Sequence, residues 1–294
     1  MKDQQDLAAR AHGMKQTQSI RHRIPGFVIT AILVLLALAV VLPLILPFFF
    51  VFKTQLEYAY SPWSLPAKIR WVNFQEAWVA IQIGQGLLNT FFVCLGAVFC
   101  TVPTAAMAGY IFARYRSKVT EVVFYCILAG WFVPVLMVLI PLYRLTSQIG
   151  LSDTLPGLFL IMTAFGIPFW TIIYRSFFRS LPGELAEAAR IDGAGHTGTF
   201  LRVMLPLANP ATVLAILLVF IGAWSDYLLS LIFINDQNLF TMQLRVAQFL
   251  NQYGVDRMPR YAAAALIAAA PTVMLYVLGH RWIIRGTLAG ALKG

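Results

Sequence analysis

The chain has 294 residues, of which 60% are apolar and only 12% are charged. A soluble domain of this length cannot accommodate that composition, so we expect the chain to lie in a membrane. Its 22 basic residues outnumber its 12 acidic residues and give a net charge of +10. These basic residues are spread over loop ends and form no stripe interleaved with aromatic residues, which argues against a nucleic-acid partner.

Six apolar runs are each long enough, at about 20 residues, to cross a bilayer as a helix. The sequence therefore predicts an all-α, polytopic membrane bundle of six transmembrane helices. The first run follows a polar segment and has no small-residue cleavage site after it, so we expect a retained anchor. The runs start near Gly26, Gly84, Val119, Thr154, Leu207 and Tyr261.

These runs divide the chain into four parts: an N-terminal tail (1–25), the first transmembrane helix with an outer connection (26–83), a five-helix core (84–286) and a C-terminal tail (287–294). Basic residues in short loops stay on the cytoplasmic side of a membrane. Fifteen of the 22 basic residues lie on the face that holds both termini. We therefore expect a multi-pass protein of a bacterial cytoplasmic (inner) membrane, surrounded by lipid, with both tails in the cytoplasm.

Other residue types point to little chemistry of their own. The three cysteines lie within predicted spans, so we expect no disulfide framework and no thiolate metal site. The four histidines are scattered, and we expect no metal site among them either.

Prolines inside the spans favour kinks, which either line a pathway or serve packing alone. These prolines are Pro103, Pro134, Pro141 and Pro168.

The segment at about 179–206 is unusually polar for this chain. Residues 185–191 favour a helix, and alanines at three of these positions would let a partner surface approach the backbone. Gly193 can adopt the left-handed conformation that ends a helix. A second short helix from about Gly198 to Met204 would then lead to the fifth span. The sequence thus predicts a helix-turn-helix unit on the cytoplasmic side, which we call the elbow (residues 179–206).

The elbow contains three short motifs in order: Glu187-Ala188-Ala189, Asp192-Gly193-Ala194 and Leu205-Pro206. It resembles the EAA loop of permease subunits in binding-protein-dependent ABC importers. Shorter matches elsewhere, such as Asn89-Thr90 and Ala113-Arg114-Tyr115, resemble the carbohydrate-uptake (maltose-type) branch. One departure is Gly195, which stands where many relatives have Ser and leaves the start of the second helix in doubt.

The resemblance implies that the elbow docks into a cleft on an ATP-binding subunit. Glu187 and Gly193 match the positions most often associated with coupling. It also implies three kinds of partner: a second homologous permease subunit, two ATP-binding subunits and an extracytoplasmic solute-binding protein. The coupling residues implied are Glu184, Glu187, Ala188, Ala189, Asp192, Gly193, Ala194, Leu205 and Pro206.

The chain contains no Gly-Lys pair and therefore no phosphate-binding P-loop. We expect it to bind no cofactor itself, to act as a transport subunit rather than an enzyme, and to rely on ATP and Mg²⁺ bound by the partner ATPase.

Asp226 is the ambiguous carboxylate of the predicted fifth span, about three-quarters of the way across and beside Trp224 and Tyr227. One hypothesis makes these three residues part of the substrate pathway, near its outer opening. The alternative is a hydrogen-bonded structural carboxylate.

A pathway nearly free of charge suits a neutral polar solute, and the resemblance favours a sugar or oligosaccharide. Three alternatives remain open. The same importer could carry a glycerol phosphate, a polyol or a peptide. The chain could instead be a stand-alone, ion-coupled secondary carrier, or a purely structural membrane subunit.

Overall fold

The computed structural model describes residues 26–115 and 117–291, and within these ranges the ordered elements are helices with no strand among them. The all-α prediction is confirmed for this part of the chain. The predicted N-terminal tail (1–25) lies outside the described residues, as do residues 292–294 of the predicted C-terminal tail.

The first half of the described chain contains α1 (Gly26–Phe50), α2 (Gln55–Tyr60), α3 (Val72–Ala80), α4 (Ile83–Arg114), α5 (Lys118–Trp131), α6 (Val135–Gln148) and α7 (Leu155–Ser180). The second half contains α8 (Glu184–Ile191), α9 (His196–Thr199), α10 (Asn209–Trp224), α11 (Leu228–Phe233), α12 (Met242–Tyr253) and α13 (Met258–Ala291). A π-helical turn (Phe200–Met204) and a short helix (Leu205–Leu207) connect α9 to the bend before α10.

All six predicted apolar runs lie on helices. Among the described residues, α4, α7 and α13 as far as His280 are long and apolar enough to cross a membrane. Two further pairs of helices are sharply bent: α5 with α6 by 102°, and the helix from His196 to Leu207 with α10 by 77°. Counting each bent pair as one span gives up to five candidate spans.

Pro134 explains the break in the predicted third span. It precedes the first residue of α6 with φ −61° and ψ 129°, outside the helical region. Proline has no backbone N–H and restricts the residue before it, so α5 cannot continue through this position. Pro103, Pro141 and Pro168 instead lie inside α4, α6 and α7.

Small residues bring α4 and α7 into close contact, as expected for membrane helices. Ala105 and Ala106 of α4 are fully buried. A Cβ atom added to Gly109 would lie 2.5 Å from Cβ of Tyr174 and 2.9 Å from the backbone nitrogen of Arg175. Any larger side chain at Gly109 would therefore push the two helices apart.

The connection between α1 and α4 is folded around Lys53. This side chain is buried, and Nζ donates hydrogen bonds to the carbonyl oxygens of Ser61 and Pro62, each at 2.7 Å. The Asn73 amide donates to the carbonyl oxygens of Val51 (2.6 Å) and Lys53 (2.9 Å). These bonds hold the start and the end of the connection together.

Candidate functional site

The first helix of the elbow, α8, ends in a Schellman motif. Gly193 has φ +84°, so the predicted left-handed conformation is confirmed. The N–H of Gly193 donates to the carbonyl of Arg190 (3.0 Å), and the N–H of Ala194 donates to that of Ala189 (2.9 Å). The chain therefore turns sharply after α8 without leaving these carbonyl groups unpaired.

The second helix begins at His196 rather than at about Gly198, so the predicted start was wrong by two residues. Gly195 is the N-cap with an extended backbone (ψ 171°) and provides no side-chain cap. The Oγ1 of Thr199 donates to the carbonyl of Gly195 at 3.1 Å, a bond within the helix that does not replace a side-chain cap for the N-terminal N–H groups. Gly198 sits inside this helix, where an added Cβ would lie 3.7 Å from that of Ala194, so the site is not crowded.

Side chains of the predicted coupling residues do not all point the same way. Ala186 and Ala189, one helical turn apart, are buried against the rest of the chain. The expectation that the alanines of α8 all face a partner was therefore wrong for these two, and Ala186 belongs to a buried cluster that includes residues of α4 and α7. Ala194 and Leu205 are half-buried, and the exposed members are Glu184, Glu187, Ala188, Asp192, Gly193 and Pro206.

Aromatic side chains pack the elbow onto the ends of α4 and α7. Phe200 lies 5.1 Å from Tyr110 of α4 and 6.4 Å from Phe178 of α7, measured between ring centroids. Tyr110 and Phe178 are themselves 5.5 Å apart. Phe200 and Met204 belong to the same buried cluster as Tyr110, Tyr174 and Phe178. The elbow is thus a continuation of the core and not a detached loop.

Hydrogen bonds from the C-terminal end of α4 also reach the elbow. Arg114 Nη2 donates to the carbonyl oxygens of Leu181 (3.1 Å) and Pro182 (3.4 Å). The hydroxyl of Tyr115 lies 2.6 Å from Nδ1 of His196 and accepts from Nη2 of Arg190 at 3.4 Å. The sequence showed Arg114 and Tyr115 only as a short family-like match, so these contacts were missed.

Arg175 lies on α7 shortly before the elbow and is buried. Its Nη2 lies 2.6 and 2.7 Å from the two carboxylate oxygens of Glu121 on α5. Its Nε donates to the carbonyl of Phe112 (3.2 Å), and its guanidinium carbon lies 3.6 Å from the ring centre of Phe124. Arg179 contacts the same carboxylate at 3.2 Å. This cluster joins α5, α4 and α7 directly before the elbow.

Trp224, Asp226 and Tyr227 do not form one site. The α10 helix ends at Trp224, so Asp226 lies in the break before α11 and not within a continuous span. Its carboxylate accepts hydrogen bonds from the backbone N–H groups of Leu229 (3.4 Å) and Ser230 (3.0 Å) and from the Ser230 hydroxyl (3.1 Å). These bonds favour the structural alternative, because they are those of a helix cap.

The two aromatic neighbours of Asp226 have separate environments. Trp224 is buried, and its indole N–H donates to the carbonyl of Ala268 in α13 at 2.9 Å. Tyr227 is exposed. Within the described part of the chain, no three His, Cys, Asp or Glu side chains are grouped closely enough to hold a metal ion.

Comparison with known proteins identifies the class to which this fold belongs. Residues 102–288 match the family described as the inner membrane component of binding-protein-dependent transport systems. The chain belongs to this family.

Curated relatives match over most of the chain. The diacetylchitobiose uptake system permease protein NgcG of Streptomyces coelicolor is 32% identical over 265 residues, which cover 90% of this chain and 87% of that protein. The melibiose/raffinose/stachyose import permease protein MelC of Bacillus subtilis is 32% identical over 268 residues, covering 90% and 96%. The trehalose transport system permease protein SugB of Mycobacterium tuberculosis is 30% identical, covering 78% and 84%.

Solved structures share the fold. A bacterial ABC transporter involved in the import of the acidic polysaccharide alginate superposes with a TM-score of 0.78 at 22% identity, covering 90% of this chain and 98% of the other. The alginate transporter in complex with an alginate pentasaccharide-bound periplasmic protein gives a TM-score of 0.64 at 15% identity, with coverages of 87% and 94%.

Proposed function

We propose that this chain is the non-catalytic permease subunit of an ATP-driven ABC importer and forms half of the translocation pathway for a sugar or oligosaccharide. The observation that carries this proposal is the elbow. It presents Glu187 and the Gly193 turn on its exposed side and packs its buried side onto the ends of α4 and α7. Such a unit can transmit the movement of a bound partner to the membrane helices.

In this proposal the chain has six spans, with α1 as the first, and both termini lie in the cytoplasm. The distribution of basic residues supports that orientation. The elbow then lies on the cytoplasmic side, where two ATP-binding subunits hold ATP and Mg²⁺. Closure of these subunits moves the elbow and opens the membrane helices outward, so alternating access is driven without any chemistry on this chain.

A second homologous permease completes the pathway, and an extracytoplasmic solute-binding protein delivers the solute. The names of the relatives support a carbohydrate cargo, because they include permeases for diacetylchitobiose, for melibiose, raffinose and stachyose, and for trehalose. The periplasmic protein bound to the alginate transporter supports the expected kind of delivery partner.

The experiment is purification of the tagged chain from its native membrane in mild detergent, followed by mass spectrometry of the proteins that remain bound. We expect a P-loop ATPase and a second permease. Ligand screening of the accompanying solute-binding protein should then identify a sugar, and a polyol, a glycerol phosphate or a peptide would correct the cargo alone. A chain that purifies alone and transports under an ion gradient without ATP would contradict the importer.

A further inference from the structure

The C-terminal end of α4 is bonded to the elbow at several points. Arg114 holds the segment before α8 through two carbonyl groups, and the hydroxyl of Tyr115 contacts residues of both elbow helices. We call Arg114 and Tyr115 the clasp. Because the clasp contacts α8, α9 and the entry to the elbow, the elbow cannot shift relative to α4 without breaking or moving these hydrogen bonds.

The hydroxyl of Tyr115 can satisfy both of its elbow partners at once. Arg190 can only donate, so the phenol oxygen accepts from it. The phenol proton is then free to be donated to Nδ1 of His196, which requires the tautomer of His196 that carries its proton on Nε2. The result is a chain of hydrogen bonds from α8 through Tyr115 to α9.

Packing beside these bonds is open. A mainly apolar groove of about 470 Å³ lies between α4 and α9, with Met107 and Ile111 on one side and Thr197 on the other. The contacts that position α9 beside this open groove include the hydrogen bonds of the clasp and the packing of the Phe200 ring. The open groove between α4 and α9 leaves room for α9 to move, and the hydrogen bonds of the clasp favour one position of α9.

The N-terminal part of α4 is also hydrogen-bonded to another part of the chain. The Asn89 amide donates to the carbonyl oxygens of Asn238 (2.7 Å) and Phe240 (3.1 Å), and the Thr90 hydroxyl accepts from the N–H of Met242 (2.7 Å). Asn89 and Arg114 are separated by 25 helical residues, or about 38 Å along the axis. One continuous helix thus connects the elbow to segment 237–242 at the opposite end of the molecule.

We propose that Arg114 and Tyr115 are positioning residues through which movement of the elbow is transmitted to α4, and along α4 to segment 237–242. This inference rests on the proposed function, because it assumes that the elbow receives the movement of an ATPase. It adds the route by which the membrane helices follow that movement.

The test uses the complete transporter in proteoliposomes and measures the number of ATP molecules hydrolysed per solute imported. Tyr115→Phe removes only the hydroxyl, and His196→Ala removes its partner from an exposed position. We expect each variant to raise this ratio about fivefold, the factor that one hydrogen bond typically contributes. Assembly with the ATPase and its rate of hydrolysis should be retained. The matched control is Tyr125→Phe, an exposed tyrosine on α5.

The double variant Tyr115→Phe/His196→Ala should raise the ratio no further than Tyr115→Phe alone, because Tyr115→Phe already removes the bond to His196. If neither His196→Ala nor Tyr115→Phe changes the number of ATP molecules hydrolysed per solute imported, the positioning role of the clasp is overturned. If Tyr115→Phe fails to assemble, His196→Ala alone decides. A Gly193→Val variant run in parallel separates the two ideas: if it imports normally, the elbow assignment itself has failed, whereas uncoupling by Gly193→Val alone rejects only the clasp.

Discussion

At the scale of single residues, Gly193 has the clearest physical constraint in the elbow. Its φ of +84° is unfavourable for residues with a Cβ, and nothing lies within 4 Å of the position that a Cβ would occupy. The constraint is therefore on the backbone and not on space. This explains why glycine could be assigned its conformation from sequence: a left-handed residue is the usual way to end a helix before a sharp turn.

Replacing Gly193 with Val should uncouple transport while leaving the chain in the membrane. A β-branched residue in the left-handed region costs about 1–2 kcal/mol, enough to displace α8 from α9 but not to unfold the bundle. Solute import and retention of the ATPase are the measurements. Asn tolerates this conformation, so Gly193→Asn is the control and should keep most of the import. Wild-type import by Gly193→Val would count heavily against the elbow.

Asp226 allows a second prediction at this scale. If its carboxylate is a helix cap, Asp226→Ala should lower the stability of the purified protein by about 1 kcal/mol, whereas Asp226→Asn keeps an accepting oxygen and should be close to wild type. Thermal unfolding and solute import measured on both variants test this. Loss of import in Asp226→Asn with unchanged unfolding would instead place Asp226 in the pathway.

Sequence patterns could not predict several residue contacts for one physical reason. Local conformation depends on near neighbours, but Tyr115 and His196 are 81 positions apart and Arg175 and Glu121 are 54 apart. Which polar groups meet depends on how the helices pack. Arg175 is buried because it lies on the inner side of α7, which its neighbours along the chain do not show.

At the scale of elements, the connection between α1 and α4 has its own small hydrogen-bonded core. Lys53 lies at its centre, and Glu57 accepts from the backbone N–H groups of Thr54 (2.8 Å) and Ala67 (3.2 Å). The hydrogen bond from the Thr54 N–H is the main reason that the pKa of Glu57 lies below its ordinary value. This connection is thus folded, although its sequence showed only polar and aromatic residues between two spans.

Replacing Lys53 with Met should loosen this connection, because the carbonyl groups of Ser61 and Pro62 would lose a charged donor. The expected loss is about 1–3 kcal/mol. Limited proteolysis should then cut residues 54–70 faster than in wild type. Lys68 is exposed in the same connection, so Lys68→Met is the matched control and should be cut at the wild-type rate. Equal protection of both variants would show that Lys53 does not hold the connection.

Breaks in the helices were predicted less well than the helices themselves. All six apolar runs are helical because apolar length and composition are local properties. The bend of 102° after α5 was visible only as a proline, and Pro103, Pro141 and Pro168 carried the same signal without ending their helices. Whether a proline bends or breaks a helix depends on what neighbouring helices permit.

At the scale of the whole molecule, the elbow and the membrane helices share one continuous buried core. The buried cluster that includes Tyr110, Phe178 and Phe200 continues from the bundle into the elbow, and α4 runs from there to segment 237–242. Exposed glutamates on the opposite side of the elbow leave a surface free for a partner. The elbow thus has one side packed on the membrane helices and one exposed side, as a coupling element requires.

Site-specific photo-crosslinking in native membranes tests most directly whether the elbow is the contact for an ATP-binding subunit. Benzoylphenylalanine placed at Ala188, which is exposed on α8, should capture a P-loop ATPase. The same probe at Lys68, in the predicted outer connection, should not. An Ala188 probe that captures no ATPase from a transporter that still imports its solute would contradict the account.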